Sequence, residues 1–126
     1  MKYSLLLFVS FLLWNCQSNN SAQTKTGSDG VISIENFKTK LASTDSPQLV
    51  DVRTPDEYNQ GTLEGAINMN FNSSDLEKQL HTLDKTKPVF IFCQAGGRSG
   101  KCYQKMKNMG FEEVYDMQGG YGAWNK

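Results

Sequence analysis

The heptapeptide Cys93-Gln94-Ala95-Gly96-Gly97-Arg98-Ser99 follows the apolar run Val89-Phe90-Ile91-Phe92 and leads into a helical stretch. This places one cysteine between the end of a strand and the start of a helix, where a thiolate is easiest to form. Gly96 and Gly97 allow the chain to turn sharply with its N–H groups facing inward, and the helix that follows adds the positive end of its dipole. Both effects draw a thiol below its free pKa of about 8.5. A cysteine that merely ends a core strand is the commoner case, but two glycines and an arginine within five residues favour a reactive thiol. Arg98 is the one cation in the loop. His81, the only histidine, lies on a separate helical stretch and reads as a surface residue, so a Cys–His protease or acyltransferase has no evident base.

The elements that must position this loop are legible from patterning. Ser33 is a plausible N-cap for a helix over 34–43, with Ile34, Phe37 and Leu41 on one face. Gln48 to Val52 reads as a buried strand with Asp51 near its end, Glu57 to Gln60 as a short helix stopped by Gly61, and Ala66 to Met69 as a further strand. Ser74-Asp75-Leu76-Glu77 has capping-box spacing ahead of a stripe of Leu76, Leu80 and Leu83. Pro88 precedes the strand Val89 to Phe92; a helix from Ser99 to Asn108, a stop at Gly110 and a strand Glu113 to Asp116 follow. Strands alternating with helices predict an α/β fold, a parallel sheet flanked by helices on both faces, with ligands at the carboxyl ends of the strands. Asp51 and Arg53 would then border the pocket, and Arg53 is expected to pair with Glu57.

The loop CQAGGRS resembles the active-site loop of the rhodanese family of sulfurtransferases. Asp51-Val52-Arg53-Thr54-Pro55-Asp56-Glu57-Tyr58, then Gly61-Thr62-Leu63-Glu64-Gly65-Ala66-Ile67-Asn68, resemble its upstream signature, and Gly119-Gly120-Tyr121-Gly122-Ala123-Trp124 its usual end. The resemblance implies a Cys93 nucleophile that carries sulfur as a persulfide, with no cofactor or metal. The loop residues Gln94, Ala95, Gly96, Gly97, Arg98 and Ser99 would bind substrate and persulfide, and Arg98 would close the loop and meet an anionic substrate, or else bridge the loop backbone to a carboxylate. The expected partners are a small sulfur-containing anion or persulfide as donor and a thiol or protein as acceptor. Thr62 stands where many relatives have histidine. Gln94 and Ala95 replace a second basic residue, which argues against thiosulfate, a dianion, as the physiological donor. Four residues separate Cys93 from Arg98; related phosphatases and arsenate reductases have five, so that chemistry is the weaker reading, alongside a non-catalytic binding module.

Ahead of the domain, Met1-Lys2-Tyr3 and the apolar stretch Ser4 to Trp14 have the shape of a secretory signal. Leu12-Leu13-Trp14-Asn15-Cys16 resembles a bacterial lipoprotein cleavage site, giving a signal peptide over 1–15, a lipidated Cys16, a tether over 16–30 and a domain over 31–126. The expected location is the periplasm, anchored to a membrane through Cys16; cleavage after Ala22 would instead release a soluble protein. Loss of residues 1–15 leaves 12 basic and 13 acidic side chains. No basic patch supports nucleic-acid binding. Cys102, on a segment with Met106 and Met109 at helical spacing, reads as a core residue rather than a resolving thiol.

Overall fold

The computed structural model describes residues 28–126; the signal-like segment, Cys16 and most of the tether lie outside the described residues. The elements run β1 (Gly30–Ile32), α1 (Ile34–Ser43), β2 (Gln48–Asp51), α2 (Pro55–Asn59), β3 (Ile67–Asn68), α3 (Leu76–Leu80), β4 (Val89–Phe92), α4 (Gly97–Asn108), β5 (Val114–Met117) and α5 (Tyr121–Trp124). The five strands form one sheet in the order β1-β5-β4-β2-β3, every neighbouring pair parallel.

Alternation along β4 divides the core. Val89 and Ile91 join Val50, Leu80, Cys102 and Met106 on the face covered by α3 and α4, and Cys93, two residues on, falls on this face too. Phe90 and Phe92 join Phe37, Leu49 and Met117 on the face covered by α1 and α5. Phe37 meets Phe90 edge-on at 5.4 Å between centroids. β4 is central and buried at all four positions, which is why its sequence is a continuous apolar run.

Three local expectations need correction. The capping box at Ser74 does not form: α3 begins at Leu76, its N-cap Asp75 makes no side-chain cap bond, and the Asp75 N–H instead donates to Ser73 Oγ. A capping box does form at Thr54, whose hydroxyl accepts from the Glu57 N–H while Glu57 accepts from the Thr54 N–H, with Pro55 favouring the first turn of α2. Helix α4 begins at Gly97, two residues before Ser99, because Gly96 takes the left-handed conformation (φ 108°) and closes the turn itself. The sequence reading contains neither β1 nor α5; β1 is three residues long, and Asp29 before it pairs with Lys107 at 2.7 Å.

Candidate active site

Cys93 follows the last residue of β4 and is 1% exposed. Its Sγ accepts from the Gly96 N–H at 3.0 Å and from the Ser99 hydroxyl at 3.4 Å. Burial alone would raise the thiol pKa; hydrogen bonds from Ser99 and from the Gly96 and Ala95 amides outweigh it and leave the pKa below its ordinary value. Of the loop residues, Ala95, Gly96 and Ser99 bear on the sulfur, while the side chains of Gln94 and Arg98 turn to Arg53 and Glu57. Cys102, on the same helix as Ser99, behaves oppositely: burial foremost, with the Asp116 charge, pushes its thiol up to about 12. It is a core residue.

The loop is held from two sides. On one, the C-terminal segment straps it: the Tyr121 N–H donates to the Cys93 carbonyl at 2.8 Å and the Gly122 N–H to the Gln94 carbonyl at 3.0 Å. Gly120 (φ 64°) passes so close that a Cβ there would lie 2.5 Å from the Cys93 carbonyl oxygen, which only glycine permits. On the other side are the ion pairs, and here the expected Arg53–Glu57 pair is not the one formed. Arg53 instead grips Asp51, with Nη2 2.8 Å from Oδ2, and both are buried. Glu57 takes Arg98 in a two-point pair, Nη1–Oε2 at 2.7 Å and Nη2–Oε1 at 2.8 Å. The cause is local geometry: the Arg53 N–H also donates to Asp51 Oδ1, folding the side chain back on its own strand, while the capping box turns Glu57 toward α4.

Asp51 is also not at the pocket border, because it is wholly buried behind Arg53. It accepts from the Thr62 hydroxyl at 2.8 Å, so the residue standing in for the family's histidine completes the shell of a buried carboxylate. Arg53 does reach the pocket: it donates to Gln94 Oε1 at 3.1 Å and to the Gly61 carbonyl at 2.6 Å, and it lies over the Tyr121 ring at 4.1 Å. A cavity of about 240 Å³ flanks the loop, lined by Arg53, Glu57, Gln60, Gly61, Gln94 and Tyr121. Cys93 is not in that wall; the cavity touches the loop through Gln94.

Hydrogen bonds from Arg98, then from the Thr54 N–H, hold the Glu57 carboxyl down at about 2, so the pair stays charged across the ordinary pH range. No cluster of His, Cys, Asp and Glu among the described residues could hold a metal ion. The reading of sequence alone did not single out Gly120, Tyr121 or Asp116. The first two lie in the closing motif and gave a signal; Asp116, a single charge inside an apolar strand, gave another.

Comparison with known proteins bears on the family and the fold. Residues 33–126 match the rhodanese-like domain. The chain is 36% identical over 77 residues to the uncharacterized protein YqhL of Bacillus subtilis, covering 61% of this chain and 60% of that one. It is 30% identical over 87 residues to the thiosulfate sulfurtransferase GlpE of Shewanella oneidensis, covering 69% of this chain and 84% of that one. A crystal structure of a rhodanese-like domain protein from Staphylococcus aureus superimposes with a TM-score of 0.67 at 28% identity, over 75% of this chain and 89% of that one. With its parallel sheet, its cysteine loop at the end of β4 and a family match over most of its length, this chain belongs to the rhodanese-like domain family.

Proposed function

We propose that the protein is a sulfurtransferase that carries a sulfane sulfur on Cys93. The observation that carries the reading is the ring of donors on Sγ: a sulfur stabilised as an anion by fixed N–H and O–H groups can attack and can also hold a terminal persulfide. The Cys93 thiolate attacks the outer sulfur of a donor R–S–SH. The donor S–S bond breaks, R–SH departs with the donor's proton, and Cys93–S–S⁻ remains. With thiosulfate as donor the leaving group is sulfite. A nucleophilic acceptor such as cyanide then takes the outer sulfur, leaving as thiocyanate and restoring the thiolate.

Charge at the site favours the persulfide donor. The two guanidinium groups that touch the loop or its neighbours are each held by a carboxylate, Arg98 by Glu57 and Arg53 by Asp51. A dianion therefore meets no unpaired guanidinium there, whereas a persulfide of a small thiol or of a protein cysteine needs none. Membrane attachment through Cys16 and a periplasmic location complete the proposal, supported by the residue pattern of 1–16 alone.

Thiocyanate production from cyanide, compared for thiosulfate and for a small-thiol persulfide, tests the reading. The expected result is turnover with both, a higher KM for thiosulfate, and complete loss in Cys93→Ser. Turnover retained in Cys93→Ser would overturn it.

A further inference from the structure

Gln94 is an exposed residue whose side chain is nonetheless fixed at both ends. Its Oε1 accepts from Arg53 Nη1 at 3.1 Å, and its Nε2 packs on Gly122 so closely that a Cβ there would lie 3.1 Å away. Its carbonyl accepts from the Gly122 N–H at 3.0 Å. A surface glutamine ordinarily keeps its rotamer freedom, and fixing it requires a partner that itself stands still.

Arg53 is such a partner. It is buried, with Nε 3.0 Å from Asp51 Oδ1 and Nη2 2.8 Å from Asp51 Oδ2 and 2.6 Å from the Gly61 carbonyl oxygen. Its plane rests on the Tyr121 ring at 4.1 Å. A rigid, forked donor is therefore aimed at position 94. A lysine or arginine there has no acceptor to offer it; glutamine reaches it and adds no charge. The same guanidinium bears on the nucleophile by a second route, because the Tyr121 N–H donates to the Cys93 carbonyl at 2.8 Å. The donors on Sγ come from the far side of the loop, Gly96 at 3.0 Å and Ser99 at 3.4 Å. The sulfur meets them only while the main chain at 93 and 94 keeps its place.

We propose that Gln94 is a positioning residue: its amide, latched to Arg53, fixes the main chain beside the nucleophile and so keeps Sγ within reach of its Gly96 and Ser99 donors. Gln94 lines the cavity beside the loop and Cys93 does not, so the amide acts on the sulfur through the main chain. The charged groups facing the latch are Arg53 and Glu57, each neutralised by its own partner, Asp51 and Arg98, and the Tyr121 phenol completes that wall. Replacing Gln94 by leucine changes no charge, and a change in the thiolate then reports geometry.

The inference extends the sulfur-transfer reading to a residue whose action needs no contact with substrate, and it rests on Cys93 reacting as a thiolate. The experiment follows the pH dependence of iodoacetamide alkylation at Cys93, located by peptide mass, beside the kinetics of sulfur transfer. In Gln94→Leu the alkylation half-point should rise by about half a unit, roughly threefold in ionisation. The kcat for sulfur transfer should fall about tenfold with KM held within about twofold. A half-point that does not move makes Gln94 a plain surface residue, and a KM that rises in place of a lower kcat makes it a substrate contact; either overturns the proposal. Gly65→Ala, strained at its left-handed φ but with nothing within 4 Å of the added Cβ, separates out loss of stability. Its half-point should stay at the wild-type value, and an equal rise in both variants overturns the proposal as well. Arg53→Lys keeps the charge beside Asp51 and loses the fork, so Gln94→Leu should add nothing to it; fully additive effects overturn the route through Arg53. The Gln94→Leu measurement stands alone if Arg53→Lys does not fold. Absence of sulfur transfer in the wild type would remove the sulfur-transfer reading, while the alkylation half-points decide this proposal without any sulfur donor.

Discussion

Gly120→Ala is the substitution with the largest effect this geometry predicts outside the nucleophile itself. The new Cβ would fall 2.5 Å from the Cys93 carbonyl oxygen and 2.7 Å from the carbonyl carbon and oxygen of Gln94. Ordinary carbon–oxygen contact lies near 3.3 Å, so the backbones must part by roughly 0.8 Å. They cannot part freely, because the Tyr121 and Gly122 N–H groups on the same segment hold those two carbonyls. Strain at the left-handed φ costs about 1–3 kcal/mol, and each weakened hydrogen bond about 0.5–1.5 kcal/mol. A total of about 3 kcal/mol is expected, read as a lower urea midpoint with unchanged slope. The catalytic loss should be larger in proportion, about 100-fold in sulfur transfer, since a displacement near 1 Å at a reacting group has that effect. Gly65→Ala is the matched control: its φ is also left-handed (81°), but nothing lies within 4 Å of its added Cβ. It should lose about 1 kcal/mol to backbone strain alone and keep its activity. Gly120→Ala transferring sulfur as fast as Gly65→Ala would refute the account of the strap.

Three further outcomes follow. The Glu57 carboxyl is lowered from 4.5 to about 2 by Arg98 and the Thr54 N–H, so its contribution is fully present above pH 4.5 and lost as pH falls toward 2. With both side chains roughly a third exposed, solvent screening reduces this to about 1–2 kcal/mol, and denaturant melts of Glu57→Gln should lack that part of the acid slope while wild type shows it. The same variant retains the side-chain oxygen that accepts the Thr54 N–H in the capping box but releases Arg98, and the KM for thiosulfate should fall about threefold or more, with the KM for a neutral persulfide unmoved; a rise in both would contradict the charge argument. Cys102, fully buried with its thiol near 12, should resist alkylation in the native protein and react only on unfolding, and peptide mapping after peroxide should find oxidation at Cys93 without a Cys93–Cys102 bridge.

The parts of this molecule that were legible from sequence are those governed by local patterning. The 34–43 helix has its Ser33 cap and its buried Phe37 as expected, and the apolar run of β4 is the centre of the sheet. The cysteine loop could be read because its glycines and its place between strand and helix are local features. Ion-pair partners could not. Arg53 has carboxylates both two and four residues away, and only the fold of its side chain over β2 decides for Asp51 and leaves Glu57 to Arg98, 41 residues on. The capping box was misplaced for a similar reason: Ser74 and Thr54 both precede a glutamate by three residues, and only at Thr54 does a proline open the helix. The strap across the loop joins residues about 28 apart, and no periodicity announces such a contact.

The central claim is that Cys93 carries the sulfur, and the intact mass of the purified protein tests it most directly. After addition of a persulfide donor and removal of excess reagent, the account predicts a gain of one sulfur atom, located to Cys93 by peptide mapping, reversed by cyanide with formation of thiocyanate, and absent in Cys93→Ser. No gain in mass on the wild-type protein, or an equal gain in Cys93→Ser, would contradict it.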